Sequence, residues 1–61
     1  MTGYKIRYED YGYDCWGKTE FAGYVDYDQV VYINYNKAVS IMEDANEQFP
    51  DKKFSIYEVE I

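Results

Sequence analysis

YNKAVSIMEDANEQFP, residues Tyr35 to Pro50, is the stretch that decides the fold, because it alone in the chain carries one clear period. Tyr35, Ala38, Met42, Ala45 and Phe49 recur at steps of three and four, with Ile41 beside them. On a helix these residues form one stripe, and Lys37, Ser40, Glu43, Asp44 and Glu47 fall on the wet side. The spacing predicts a helix over about 35–49. Asn34 or Asn36 supplies the N-cap, since an Asn side chain can accept from the orphan N–H groups of the first turn. Neither has Glu or Gln three residues on, so no capping box forms. Pro50 ends the helix and drives Phe49 out of helical geometry.

Outward from the helix, the chain reads as strand material. Gln29 to Ile33 is dense in β-branched and aromatic residues and too short for a helix, which predicts a strand. A rival reading starts the helix at Asp28, but four consecutive strand formers, Val30 to Ile33, speak against it. Tyr4, Ile6 and Tyr8 alternate with Lys5, Arg7 and Glu9, so residues 3–10 form a strand with one face buried and the cations outside. Asp10-Tyr11-Gly12-Tyr13-Asp14 and Cys15-Trp16-Gly17 supply turn chemistry, placing a hairpin loop at 11–17. The return strand starts near Lys18, with Gly23 marking a bulge or bend. Asp26-Tyr27-Asp28 is a second turn. After Pro50, Phe54 to Ile61 is a strand with Phe54 and Ile56 on one side and Tyr57, Val59 and Ile61 on the other. A strand apolar on both faces belongs inside a sheet or against a second subunit.

The expected fold is therefore α+β: a small mixed β-sheet in the order β-β-β-α-β, with one helix packed on one face. Strand–helix–strand order makes residues 29–34 and 54–61 run parallel, joined by a right-handed crossover. A chain of 61 residues is one small domain. It buries only about 60% of its unfolded surface, which makes its core marginal. One cysteine, Cys15, closes no internal bridge, and there is no histidine to hold a metal. Thirteen aromatic residues, each able to bury about 150–250 Å², carry the core, and a homodimer is the natural supplement to it.

Composition also bounds function. A net charge of −6 argues against direct nucleic-acid binding and against an anionic membrane surface, while fitting a basic protein partner. No apolar run approaches the ~20 residues of a membrane span, and the opening MTGYKIRY lacks a signal-peptide core. With the lone thiol, this points to a cytoplasmic setting. No enzyme is expected: the usual general base is missing, and Asp14 beside Cys15 disfavours a thiolate. No cofactor or metal is expected either. Asp26-x-Asp28 opens like a calcium loop, but Val30, Val31 and Lys37 stand where that loop needs a ligand, a glycine and a glutamate.

Aromatics interleaved with acids are the most informative functional feature. Tyr and Trp are favoured at interfaces because they bring large contact area at low entropic cost. Tyr11, Tyr13, Trp16 and Tyr27 are thus the candidate protein-interface residues, although Trp16 is better suited to capping the end of the sheet as core, a role to which Tyr11 and Tyr13 are equally suited. The expected function is a small acidic interaction or regulatory module that binds a protein partner through its Tyr/Trp-rich loop and a sheet face. The alternative is an acidic nucleic-acid mimic that inhibits a DNA- or RNA-binding protein. Its array would be Glu9, Asp10, Asp14, Asp26 and Asp28, with Glu43, Asp44 and Glu47 as a helix row. In size and composition the chain resembles the small, acidic, cysteine-poor proteins of phages and prophages that sometimes act in this way.

Overall fold

The computed structural model describes all residues, Met1 to Ile61. Four elements follow one another: strand β1 (Thr2–Tyr13), strand β2 (Thr19–Asp26), helix α1 (Tyr35–Gln48) and strand β3 (Phe54–Glu60). The sheet has the order β2-β1-β3, and both pairings are antiparallel. The chain is α+β, but the sheet is a three-stranded antiparallel one rather than a mixed four-stranded one.

The helix begins and ends for the reasons its sequence gives. The Asn34 side chain accepts from the N–H groups of Asn36 (2.9 Å) and Lys37 (3.4 Å). Phe49 is the C-cap, with φ −130° and ψ 72°, and its N–H still reaches the Ala45 carbonyl at 2.8 Å. Ala38 and Ala45 are buried, Ile41 and Met42 half-buried, and the five predicted wet residues all exposed. α1 rests against β1 and β3 and makes no contact with β2. The Tyr35 ring meets Tyr4 edge-on at 5.2 Å.

The expected strand at 29–33 is absent. Only Tyr32 pairs, exchanging two 2.7 Å backbone hydrogen bonds with Tyr4. Asp28 explains the rest: its carboxylate accepts from the Val30 N–H (3.3 Å) and the Tyr32 hydroxyl (2.7 Å). These local bonds curl the backbone where a ladder would need it extended. Residues 29–34 and 54–61 therefore do not pair as parallel neighbours, because β1 lies between them. β3, apolar on both faces, is an edge strand and not an inner one.

β1 is longer than expected and runs on through Tyr13, so the hairpin loop shrinks to residues 14–18. Asp14 builds that turn, its Oδ1 accepting from the Trp16 and Lys18 N–H groups at 2.9 Å each. Gly17 takes φ +78° there, a conformation that costs glycine little. β1 pairs with β3 over residues 2–8 and with β2 over residues 7–13. Its two halves thus have different neighbours. The first half belongs to a body with β3 and α1, and the second forms a two-stranded arm with β2.

The arm makes the molecule long. The extents are 44 × 25 × 13 Å and the radius of gyration is 13.4 Å, where a compact chain of this length would have about 10.5 Å. Ile6, Ala38 and Ala45 are the buried apolar residues, with Gly3 buried beside them.

Candidate functional site

Antiparallel partners point to the same side of a sheet, so the register assigns each β1 residue to a face. Tyr4, Ile6 and Tyr8 share one face with Glu58, Ile56 and Phe54 opposite them. The second face carries Gly3, Lys5, Arg7, Glu9 and Tyr11 along β1, with Val59 and Tyr57 on β3. The two are called below the Ile6 face and the Lys5 face.

A bulge sets the aromatic pattern of the Lys5 face. Glu9 opposes Tyr24 and Tyr11 opposes Phe21, so β2 accommodates one extra residue, at Ala22–Gly23. Gly23 adopts φ +124°, which a residue with a side chain rarely does. The extra residue changes the parity of the strand, and Phe21 and Tyr24, three apart, come to lie side by side. Their ring centroids are 5.3 Å apart, and Tyr11 stands 5.8 Å from Phe21, both pairs edge-to-face.

Arg7 continues this row into the body. Its guanidinium lies 3.9 Å from the Tyr24 ring and 4.6 Å from the Tyr57 ring, a cation held between two π faces. Its Nε is buried without a partner. Beside it, Lys5 and Asp26 form an ion pair at 3.0 Å, and the Tyr57 hydroxyl donates to Asp26 at 2.7 Å. The hydrogen bonds from Tyr57 and Lys5 hold the Asp26 carboxyl below the usual carboxylate range. The same contact with Asp26 raises the Lys5 ammonium and the Tyr57 phenol. At the end of this face, Val31 reaches over Gly3 beside Val59 and Ile61, where any Cβ at position 3 would collide with it.

The predicted interface residues divide. Tyr13 and Trp16 stand 80% and 84% exposed on the arm, so Trp16 caps no core. Tyr11 is 46% exposed and donates its hydroxyl to Glu9, which raises the phenol. Tyr27 is elsewhere. It is half-buried, edge-on to Phe54 at 5.3 Å, in a shallow groove of about 210 Å³ with Tyr8, Phe49, Phe54 and Lys52. The Lys52 ammonium lies over the Tyr8 ring at 4.2 Å in that groove.

Most of the predicted acidic array is occupied within the chain. Glu9 accepts from Tyr11, Asp14 from its own turn, Asp26 from Lys5 and Tyr57, and Asp28 from Tyr32 and Val30. Of the five, the Asp10 carboxylate alone accepts no hydrogen bond. Burial together with the Asp28 carboxylate pushes the Tyr32 phenol up to about 12. The helix row Glu43, Asp44 and Glu47 is exposed.

Sequence reasoning missed Arg7, Phe21, Tyr24 and Tyr57 as members of one surface. The signal was Gly23: once a bulge is placed there, the alternation of β2 reverses and the two aromatics coincide. No helix of the structure is long and apolar enough to cross a membrane. Compared with known protein families, curated proteins and solved structures, the chain matches none.

Proposed function

We propose that this chain is a protein-interaction module whose working surface is the Lys5 face together with the exposed arm. On this reading α1 covers the Ile6 face of the body, and the Lys5 face is left for a partner. The arm carries the argument: it is a two-stranded ribbon with no helix behind it, bearing Tyr11, Phe21 and Tyr24, each about half exposed. An isolated two-stranded hairpin is marginal in water, so a row of large aromatics on one is best explained by a surface that covers it. Aromatic anchors ringed by polar groups are what binding surfaces use.

The nucleic-acid-mimic reading keeps one observation in its favour, the exposed row Glu43, Asp44 and Glu47. Ionic strength separates the two. Exposed charge is screened beyond about 10 Å at 0.1 M salt, whereas buried aromatic contact is nearly insensitive to it. A tagged copy is exposed to a cell lysate and washed at low and then high salt. Partners that survive the wash and are lost with Tyr11→Ala plus Trp16→Ala support the interaction module. Nucleic-acid-binding partners that elute with salt, and are lost when Glu43, Asp44 and Glu47 become amides, sink it in favour of the mimic.

A further inference from the structure

We infer that a second copy of this chain covers the Lys5 face, in a two-fold dimer that lays the arm of each copy across the body of the other. The inference rests on the proposal that the Lys5 face is the interaction surface, and it names the occupant.

Area is the first argument. A folded monomer of 7.3 kDa exposes about 4,200 Å² on the usual scaling, and this chain exposes 4610 Å², about a tenth more. The twelve residues of β1 extend roughly 40 Å, and the ribbon is two to three strands wide at about 4.8 Å spacing. That gives a flat area on the order of 500 Å², which side-chain relief raises toward the ~800 Å² per partner of a standard stable complex. Only by using both arm and body does the face reach that size.

Charge is the second argument, and it selects a second copy over a basic protein. The chain is acidic overall, so two copies repel unless they meet at a neutral patch. The Lys5 face is such a patch: Lys5 and Arg7 against Glu9 and Asp26. The whole acidic excess lies elsewhere, on the helix, the hairpin turn, the loops and the Ile6 side of the strands. A strongly basic partner has nothing to gain on a face without net charge.

The charges are also arranged for self-pairing. On the body half of the face Lys5, Arg7 and Asp26 leave one positive charge, and on the arm half Glu9 leaves one negative charge. The Arg7 side chain makes no hydrogen bond and no ion pair within the chain, although the chain has twelve side-chain carboxylates. Glu9 of a second copy supplies what Arg7 lacks. A two-fold axis passing between positions 7 and 9 makes both Arg7–Glu9 pairs at once, as an isologous interface requires. The same operation lays Tyr11 of one copy over Lys5 of the other, and Tyr24 at the level of Asp26.

Sedimentation equilibrium from micromolar to millimolar protein tests the dimer, with circular dichroism to verify that each variant folds. The wild-type chain is expected to dimerise. Glu9→Arg alone and Arg7→Glu alone are each expected to weaken self-association at least tenfold, by setting like charges against each other. An equimolar mixture of the two variants is expected to recover a heterodimer, since both cross-pairs are then attractive. The exposed Cys15 carries a spin label for the geometry: on mixing with isotope-labelled Cys15→Ser protein, line broadening is expected near Gly3, Val59 and Ile61.

A wild-type chain that stays monomeric at millimolar concentration overturns the inference. It leaves the interaction module standing if lysate partners are still lost with Tyr11→Ala plus Trp16→Ala. A dimer unaffected by either charge reversal, or broadening confined to the second copy's own hairpin turn, also overturns the proposed arrangement.

Discussion

The two halves of β1 are one continuous strand in two different environments. From Thr2 to Tyr8 it is central, with β3 on one side and the bridging segment around Tyr32 on the other. Its Ile6 has no exposed surface at all. From Asp10 to Tyr13 it has β2 alone beside it, and the helix makes no contact with β2. The body is stabilised by burial and the arm by pairing along its length. A difference of this kind ties local stability to the number of layers: the body should open only with global unfolding, and the arm well before it.

Ile6→Ala is the largest expected perturbation of this contrast. Removing a fully buried Ile typically costs about 2–5 kcal/mol, while the whole stability of a 61-residue domain is on the order of 3–9 kcal/mol. The variant should unfold at least partly at room temperature, as measured by urea titration followed by circular dichroism. If Ile6→Ala cost no more than a surface change, the body would not be the core.

Gly23→Ala strikes the arm. A side chain at φ +124° carries strain of about 1–3 kcal/mol, and the backbone can relieve it by abandoning the bulge. Phe21 and Tyr24 would then lose their common face. The expected outcome is loss of hydrogen-exchange protection confined to residues 9–24, with the body amides unchanged. Equal loss in both halves would show that arm and body are one cooperative unit.

The body's elements were largely legible in the sequence, and the arm's surface was not, for physical reasons. Asn34, Ala38, Ala45 and Pro50 act locally: a cap, a period and a stop all operate within one helix. The alternation of Tyr4, Ile6 and Tyr8 is local as well. Residues 29–33 misled because β propensity says what the backbone tolerates, whereas the Asp28 carboxylate decides what it does. The Arg7–Tyr24–Phe21–Tyr11 row depends on register, a relation between two strands that one bulged residue reverses. Trp16 was readable either as an end cap for the core or as exposed, since composition does not say how far the hairpin extends beyond the helix.

Where arm meets body, the Asp26 cluster predicts a pH dependence smaller than either of these effects. A carboxyl whose folded pKa is lowered from its ordinary value of 3.8 adds stability above that value, and the contribution fades as pH falls through the lowered one. Lys5 and Tyr57 are raised from 10.5 and 10.0, so their contributions hold below those values and fade as pH rises through the raised ones. Stability from this cluster should thus form a plateau between roughly pH 4 and pH 10. Asp26→Asn should flatten both limbs in thermal melts carried below and above that range. An unchanged acid limb would show that other carboxylates dominate it.

Trp16→Ala is the smallest expected effect and the sharpest test of the arm's exposure. The indole is 84% exposed, and the one bond that its residue donates comes from the backbone N–H to Asp14, which alanine keeps. Surface changes of this type usually stay within about 0.5 kcal/mol. Because Trp16 is the single tryptophan, its fluorescence reports on this turn alone. In a chain held monomeric by Glu9→Arg, emission should be that of a solvated indole, freely quenched by iodide and little changed by urea. Protection from quencher in that monomer would mean that the turn folds back onto its own body. If quenching falls only as wild-type protein is concentrated, the cover comes from outside the chain, and the arm, so thinly supported by its own fold, is completed by what it binds.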